Sequence, residues 1–428
     1  MSFWFAPVVM SLCAVLLAWV LYRVDRRIPN EMLESSRLIL VGTPSEVRGY
    51  LMGMATTILA TAGVVFTLLT LPLSTVAAQY GSRLLRVFQG DRTTQLVLGM
   101  FVATFIYCLA AALSIPPARV DPEAPLLTAT VGLLLMLGTF ASLVVLVQHI
   151  SSMLQAPNIA AAAGAEVREV ILAEIPEAVR GDGGGQSSLE ALSTLREIEG
   201  YAVPIRETGY IEFIDPETVL SLAIDHDLVI RLLRKPGRFV RRGEVIALVW
   251  PADRVNEELA DRIHNAFRVV NTRIPTQDIL YAVNQLAEMS VRAMSPAIND
   301  PFTAMTCLDY FGESLALFIR QSERNPCYYD QEGQLRLVLE PATLDELLSA
   351  AFDMLRHASC NNASVLQHML EVIDGISQET KSPDARQKLA HQVKLIEAES
   401  QAGDIIEEDR QKIQRSSETL QMKLKEAR

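Results

Sequence analysis

The chain has 428 residues, 50% of them hydrophobic, with 38 Lys and Arg against 50 Asp and Glu for a net charge of −12. Charge is divided along it: residues 1–150 hold nine Arg, no Lys and seven acids, which leaves 29 basic and 43 acidic residues in 151–428. That division predicts a membrane region followed by an acidic soluble region, whose charge excludes nucleic acid and general adsorption to anionic lipid.

Four apolar segments, at about 3–22, 50–76, 94–115 and 125–150, each supply the roughly 20 residues a helical span requires. They define a transmembrane domain over 1–155. The first is a span and not a signal peptide, because Ser2, Phe3, Trp4 and Phe5 form no basic leader and no small-x-small site precedes Arg23, Arg26 and Arg27. The second carries small or hydroxylated residues at alternating steps of three and four: Gly42, Gly49, Gly53, Thr56, Ala60, Gly63, Thr67, Thr70 and Ser74, interrupted only by Glu46. Helical spacing puts these on one face, a stripe with almost no side-chain bulk. Such a stripe either lets another helix approach closely or lines a water-filled path where hydroxyls replace part of a permeant's hydration. Both uses turn the face toward protein or water and away from acyl chains.

The loop at 77–93 sets Tyr80, Leu84, Leu85 and Phe88 among Arg83, Arg86 and Arg92. This pattern suits a short helix lying in the membrane interface, or alternatively a basic ring at a pore mouth. Pro116, Pro117 and Pro125 mark a turn that joins spans 3 and 4 as a hairpin. Span 4 carries a second polar stripe of Thr128, Gly132, Thr139, Ser142 and His149. His149, the one group of the membrane half that titrates near neutrality, is read as a structural hydrogen bonder or as a proton switch.

With four spans, the N-terminus, the 77–93 loop and the C-terminal region share one side of the membrane. Arg83, Arg86, Arg92 and Arg168 fall on that side, against Arg23, Arg26, Arg27, Arg37, Arg48 and Arg119 on the other, so positive-inside counting favours an external C-terminal region. Cysteine usage opposes it. Cys13 and Cys108 lie in apolar spans, and Cys307, Cys327 and Cys360 are scattered without metal-ligand spacing, which fits a reducing compartment and no disulfide framework.

After span 4, residues 156–196 read as a helical connector that ends at a flexible run of glycines, Gly181 and Gly183 to Gly185. Residues 197–250 form the one convincing β region, with strands around Tyr201, Gly209 to Ile214, Leu228 to Leu233 and Gly243 to Val249, and a short helix capped by Asp215. Pro236, Gly237, Phe239, Val240 and Gly243 resemble the half-motif of barrel-sandwich hybrid domains such as lipoyl and biotinyl carriers. The carrier lysine is missing from its usual setting, so the resemblance implies a shape, with Phe239 and Val240 in a small barrel's core. Beyond 250 the pattern is helical: about 253–271, 277–294, 301–323, 343–358, 363–377 and, as a charged C-terminal helix in the 381–428 region, 383–426. A helical domain thus covers 251–380. The C-terminal helix, with apolar positions including Leu389, Val393, Ile396, Ile406, Ile413, Leu420 and Leu424, is expected either to bundle in an oligomer or to stand in solvent. The fold class is therefore an α-helical multi-pass membrane protein with four transmembrane helices, followed by an α+β soluble region made of a small β-barrel-like module and a helical bundle.

The densest polar constellation runs from Arg292 through Ser295, Asn299 and Asp300 to Thr303. One reading is helix punctuation, in which Asp300 caps the next helix with Arg273, Asp278 and Arg292 around it. The other is a ligand or ion site at the turn, for which a single carboxylate is poor cation chemistry.

The Ser-Phe-Trp-Phe start, the run from Arg83 to Arg92, Gln148-His149-Ile150, Gly209-Tyr-Ile with Pro236-Gly237, and Ser295 through the Asn299-Asp300-Pro301 segment to Ala304 together resemble the bacterial membrane proteins grouped as domain of unknown function 2254. The resemblance reaches from the N-terminus to about residue 375. It implies a bacterial inner (plasma) membrane location, multi-pass, with the C-terminal domain in the cytoplasm, in agreement with the cysteines. No GxSxG, HExxH, P-loop or GxGxxG motif occurs in its required context, so the sequence is read as a non-enzyme with no cofactor and no metal. The function expected is a homo-oligomeric channel or transport-type protein with a cytoplasmic regulatory domain, its partners being the lipid bilayer, further copies of itself and an ion or small-molecule ligand. The alternative is a membrane-anchored sensor or scaffold whose soluble domain binds a ligand or protein. Lipid handling through the interfacial segment is a third reading.

Overall fold

The computed structural model describes residues 5–28, 39–80, 91–116, 124–173, 199–321 and 327–426. The chain divides into two compact units, Met1–Ile159 and Ala160–Arg428.

In the first unit, α1 (Phe5–Asp25), α2 (Pro44–Tyr80), α3 (Arg92–Ser114) and α4 (Leu126–Met153) are long and apolar enough to cross a membrane. They stand where the four spans are expected, with α2 beginning earlier, at Pro44. Its 37 residues extend about 55 Å at 1.5 Å per residue, well beyond a hydrocarbon layer of about 30 Å. The core between the helices is built from Leu51, Ala55 and Ile58 of α2, Phe101, Tyr107 and Cys108 of α3, Leu126, Ala129 and Leu146 of α4, and Ala14 and Ala18 of α1. Leu12, Leu16, Trp19, Leu113, Leu137 and Val144 point outward, an apolar shell suited to lipid.

Helix ends are tied across the bundle by charge. α4 follows Pro125, which has no side chain able to cap it. Asp25, the last residue of α1, supplies the cap: its carboxylate accepts from Leu127 N (3.0 Å), Thr128 N (2.8 Å) and Thr128 Oγ1 (2.5 Å), and the residue is only 4% exposed. Arg48 of α2 makes the converse contact, donating from Nε to Ala112 O (3.2 Å) and from Nη2 to Ile115 O at the end of α3. A carboxylate at a helix N-terminus and a guanidinium at a C-terminus each oppose the end charge of the helix dipole, and they satisfy backbone groups that lipid cannot. Tyr107 adds a bond from its hydroxyl to Thr128 O (2.8 Å). At the opposite end of the bundle, Asp91 caps α3 through Thr94 N (2.7 Å) and meets His149 Nε2 of α4 at 3.0 Å.

In the second unit, which the chain enters along α5 (Ala156–Ala173), the expected β region is present as β1 (Tyr201–Pro204), β2 (Gly209–Ile214), β3 (Val229–Leu232), β4 (Phe239–Val240) and β5 (Val245–Trp250), with α6 (Pro216–Asp225) capped by Asp215. The sheets do not stop at 250. The helix expected over 253–271 is α7 (Glu257–Asn265), after which β6 (Phe267–Val270) joins a sheet of order β4-β2-β6. β7 (Cys327–Tyr329) and β8 (Leu335–Val338) complete the second sheet, β1-β5-β3-β8-β7, in which β8 lies parallel to β3. The β module is thus not self-contained: Ile211, Ile230 and Val249 share one core with Ile263, Phe267, Tyr328 and Leu337 from beyond residue 250. Phe239, expected in that core, is 49% exposed and lies edge-on to Tyr210, while Val240 is buried. Successive strand residues face opposite ways, so only one of the pair can enter the core.

α8 (Ile279–Ala293), α9 (Pro301–Arg320), α10 (Leu344–Ala358) and α11 (Ala363–Gln378) follow, with a capping box of Thr343 and Glu346 at the start of α10. The single C-terminal helix is in fact two, α12 (Pro383–Ala402) and α13 (Glu407–Glu426), folded back on α11. Gly403 makes the break: a Cβ there would stand 1.9 Å from Cys360 O. The fold-back buries Leu389, Val393, Ile396, Ile413, Leu420 and Leu424 and leaves Ile406, at the bend, exposed. The tail is a component of the helical body, neither a solvated arm nor a separate helix. The glycine-rich run at 181–185 and residues 81–90 of the interfacial loop lie outside the described residues.

Replacing Asp25 by Ala is expected to destabilise the first unit by about 2 kcal/mol, because a buried cap and its opposition to the α4 dipole are both lost. Asp25→Asn, which retains an acceptor oxygen, falls between. An unchanged thermal transition for the alanine variant in detergent would contradict the capping role.

Candidate functional site

The stripe of α2 occupies a well-defined place on its helix. Val47, Leu51, Met54, Ala55, Ile58 and Val65 form the buried face. At about 100° per residue, the mean direction of Gly53, Thr56, Ala60, Gly63, Thr67, Thr70 and Ser74 lies roughly 170° away from it. All seven are exposed. A Cβ added to Gly49, Gly53 or Gly63 would meet nothing within 4 Å, so among the described residues no helix of this chain exploits the lack of bulk. Exposed Leu59 and Phe66 flank the stripe on one side and Val64 and Leu68 on the other, which makes it the floor between two ridges.

The hydroxyls on this face are committed inward. Thr56 donates to Met52 O (2.9 Å), Thr67 to Gly63 O (3.1 Å) and Thr70 to Thr67 O (3.2 Å). A hydroxyl has one O–H and two lone pairs, so the outward chemistry that remains is acceptor only.

The polar positions of α4 lie elsewhere. Thr139 is fully buried; it donates to Leu135 O (2.8 Å) and shares a hydrogen bond with the Thr104 hydroxyl of α3 at 2.9 Å. Gly132 faces α2 and α3, where a Cβ would come within 3.1 Å of Leu51 and 3.4 Å of Tyr107. Ser142 is half-buried and donates to Thr139 O (2.7 Å), and His149 is held by Asp91. The two stripes therefore do not border a common space within one copy of the chain: that of α4 serves contacts inside the bundle, that of α2 points out of it. Arg92 opens α3 and is exposed, whereas Arg83 and Arg86 lie outside the described residues.

In the second unit the constellation around Asp300 separates into three parts. Asp300 caps α9, accepting from Thr303 N (3.1 Å) and Thr303 Oγ1 (2.5 Å), and the preceding Asn299 takes the left-handed backbone (φ 48°) that closes the turn. Arg292 pairs with Glu288 one turn back along α8 (3.0 Å). Arg273 and Asp278 are not partners of Asp300. Asp278 caps the far end of α8, about 22 Å away along a 15-residue helix, and binds Arg273 in two places (2.5 and 3.0 Å). That pair supports a tight backbone approach, since at Gly237 (φ 83°) a Cβ would stand 1.9 Å from Asp278 Oδ2. A half-buried ion pair not read from the sequence, Lys235 with Glu346 (2.6 Å), ties the end of the β3 segment to α10. Burial pushes the Glu346 carboxyl up, but hydrogen bonds from Lys235 and Thr343 outweigh it and hold it below the usual carboxylate range.

The family model described as predicted membrane protein (DUF2254) matches residues 1–375, from α1 into α11. The chain belongs to that family. Uncharacterized proteins of Mycobacterium bovis and of two strains of Mycobacterium tuberculosis are similar to this DUF2254 chain, each 24% identical over 386 residues that cover 87% of this chain and 72% of the relative. No solved structure matches it. Both the α2 stripe and the Asn299-Asp300 turn lie within the matched region, and α12 and α13 lie beyond it.

The Asp300→Ala variant is expected to lose about 1 kcal/mol of stability in chemical unfolding, the usual cost of removing a helix cap. Unaltered stability would contradict the assignment of Asp300 as a cap.

Proposed function

We propose that this DUF2254 protein is a homo-oligomeric channel or transport-type protein of the bacterial inner membrane, with α2 of each copy turned toward a shared path and the second unit as a regulatory region on the cytoplasmic side. One observation carries the reading: the face of α2 that lacks bulk is opposite its packed face and, among the described residues, is unused. Acyl chains fill such a surface poorly, and a second helix or a column of water fills it well. Because the threonine hydroxyls present lone pairs and no free O–H, the path favours cations and water over anions. A cytoplasmic second unit is supported by Cys307, Cys327 and Cys360 forming no disulfide.

A membrane-anchored sensor or scaffold is the second reading, favoured by the α4 stripe. There the same residue types, Thr139 with Thr104 and Gly132 beside Leu51, serve helix packing alone.

Reconstitution tests the choice. Gly53→Cys and Ala60→Cys are expected to cross-link copies of the chain in lipid. Thr67→Leu with Thr70→Leu is expected to change cation flux through proteoliposomes while leaving the cross-linking intact. No flux in the parent chain, together with loss of assembly in the leucine variant, would support packing and overturn the channel reading.

A further inference from the structure

The second half of the chain is acidic, yet one short run of it is wholly basic. Residues 231–242 hold six basic residues and no acid: Arg231, Arg234, Lys235, Arg238, Arg241 and Arg242. The other 23 basic residues of 151–428 face 43 acids. Part of the basic charge is neutralised locally, since Arg234 pairs with Glu244 (2.8 Å) and Lys235 with Glu346 (2.6 Å). Arg238 comes only within 3.6 Å of that same Glu346, and its side chain is 59% exposed. Arg241 and Arg242 are exposed and form no ion pair among the described residues. Backbone bonds fix the turn that carries them: Glu244 N donates to Arg241 O (2.9 Å) and Arg242 N to Thr208 Oγ1 (3.0 Å).

Beside these arginines lies an apolar row. Phe239 is paired with Tyr210, and Tyr210 with Val270, across the sheet β4-β2-β6, so the three side chains share a face. Val240 and Ile211 point the other way, into the core. Of the outward row, Phe239 is the exposed member. Aromatic rings and arginines on a rigid sheet face are the residue types that centre protein–protein contacts.

A surface of opposite character stands on the same chain. The bend between α12 and α13, Asp404 to Asp409, holds four acids and no base around Ile406, which is 65% exposed. Arg410 fixes its shape by donating to Ser400 O (3.3 Å), Gly403 O (3.2 Å) and Ile405 O (3.3 Å), and Asp404 N donates to Asn361 Oδ1 (2.8 Å). Glu407 is paired with Arg410 (2.8 Å), whereas Asp404 and Glu408 are exposed with no ion pair among the described residues. Phe239 and Ile406 are both uncovered, so neither shields the other within one copy.

We propose that the β4-β2-β6 face is a docking surface for a second copy of the chain, which seats its α12–α13 bend there, Ile406 against Phe239 and Tyr210, with Asp404 and Glu408 toward Arg241 and Arg242. Charge complementarity selects this occupant: each tip sets one large exposed apolar side chain among charges of a single sign, and the signs are opposite. Both tips are held in shape by their own hydrogen bonds, so little ordering opposes the contact. The inference rests on the chain being a homo-oligomer, as proposed above, but uses no residue of α2.

The test co-expresses two differently tagged full chains, each with exposed Cys13 and half-buried Cys360 replaced by Ser. One carries Phe239→Cys and the other Ile406→Cys, and membranes are treated with a short bis-maleimide. The mixed pair is expected to cross-link several-fold more than either like pair. Arg241→Glu with Arg242→Glu in the first chain is expected to lower that yield several-fold, and Asp404→Arg with Glu408→Arg in the second to restore it, a rescue that misfolding would not give. A yield that stays low in the doubly reversed pair would overturn the proposal. So would cross-linking of Gly53→Cys copies without any of the mixed pair, which leaves the α2 reading standing; absence of both products would overturn the two together. Protection of Phe239→Cys from a water-soluble maleimide only in nanodiscs containing phosphatidylglycerol would assign the face to anionic lipid and overturn it as well.

Discussion

A helix that ends within or beside lipid must find partners for its last backbone groups, and in the membrane unit those partners come from neighbouring helices. Asp25 of α1 closes the start of α4, and Arg48 of α2 closes the end of α3. Each ion sits at the helix end whose charge it opposes, where low dielectric strengthens the attraction. The contacts also fix rotation. Arg48 lies at the edge of the buried face of α2, beside Val47, so turning α2 to bring its stripe inward would withdraw the guanidinium from Ala112 and Ile115. The outward direction of Gly53, Thr56 and Gly63 is thus a consequence of how the helix ends are satisfied.

From that constraint follows a division of labour between two similar-looking stripes. Thr128, Gly132 and Thr139 of α4 are consumed by the bundle, through Asp25, the approach of Leu51 and the Thr104 hydroxyl. The α2 series is left over. Among the described residues nothing packs against it, and the self-association and the shared path proposed for α2 both rest on that one face. The second unit joins this membrane body along α5, and its interior depends on long-range pairings, such as β3 with β8, that make it one sheet-and-helix body.

Much of this was legible in the sequence, and the failures have physical causes. Long apolar runs and helix caps are local signals, so the four spans and the caps at Asp215 and Asp300 could be read directly. Which stripe faces inward could not, because both have the same composition and the answer depends on Arg48 and Asp25, which in sequence look like ordinary charged flanks. The three late strands were hidden for a related reason: Phe267 to Val270 continues the apolar pattern of a helix, and only pairing with β2 reveals it as a strand. The break at Gly403 inside the expected 383–426 helix has no local signal, since the carbonyl of Cys360 that excludes a side chain there is distant in sequence. Arg273 and Asp278 were read as surrounding Asp300, whereas they pair with each other at the far end of α8, whose length separates them from it.

The number of copies in a lipid environment bears most directly on the outward stripe. Native mass spectrometry of the chain released from nanodiscs is expected to give one closed oligomer, large enough for its α2 faces to surround a common axis. A population of stable monomers in lipid would contradict it, because four helices with the stripe turned outward enclose no path and leave that surface to acyl chains.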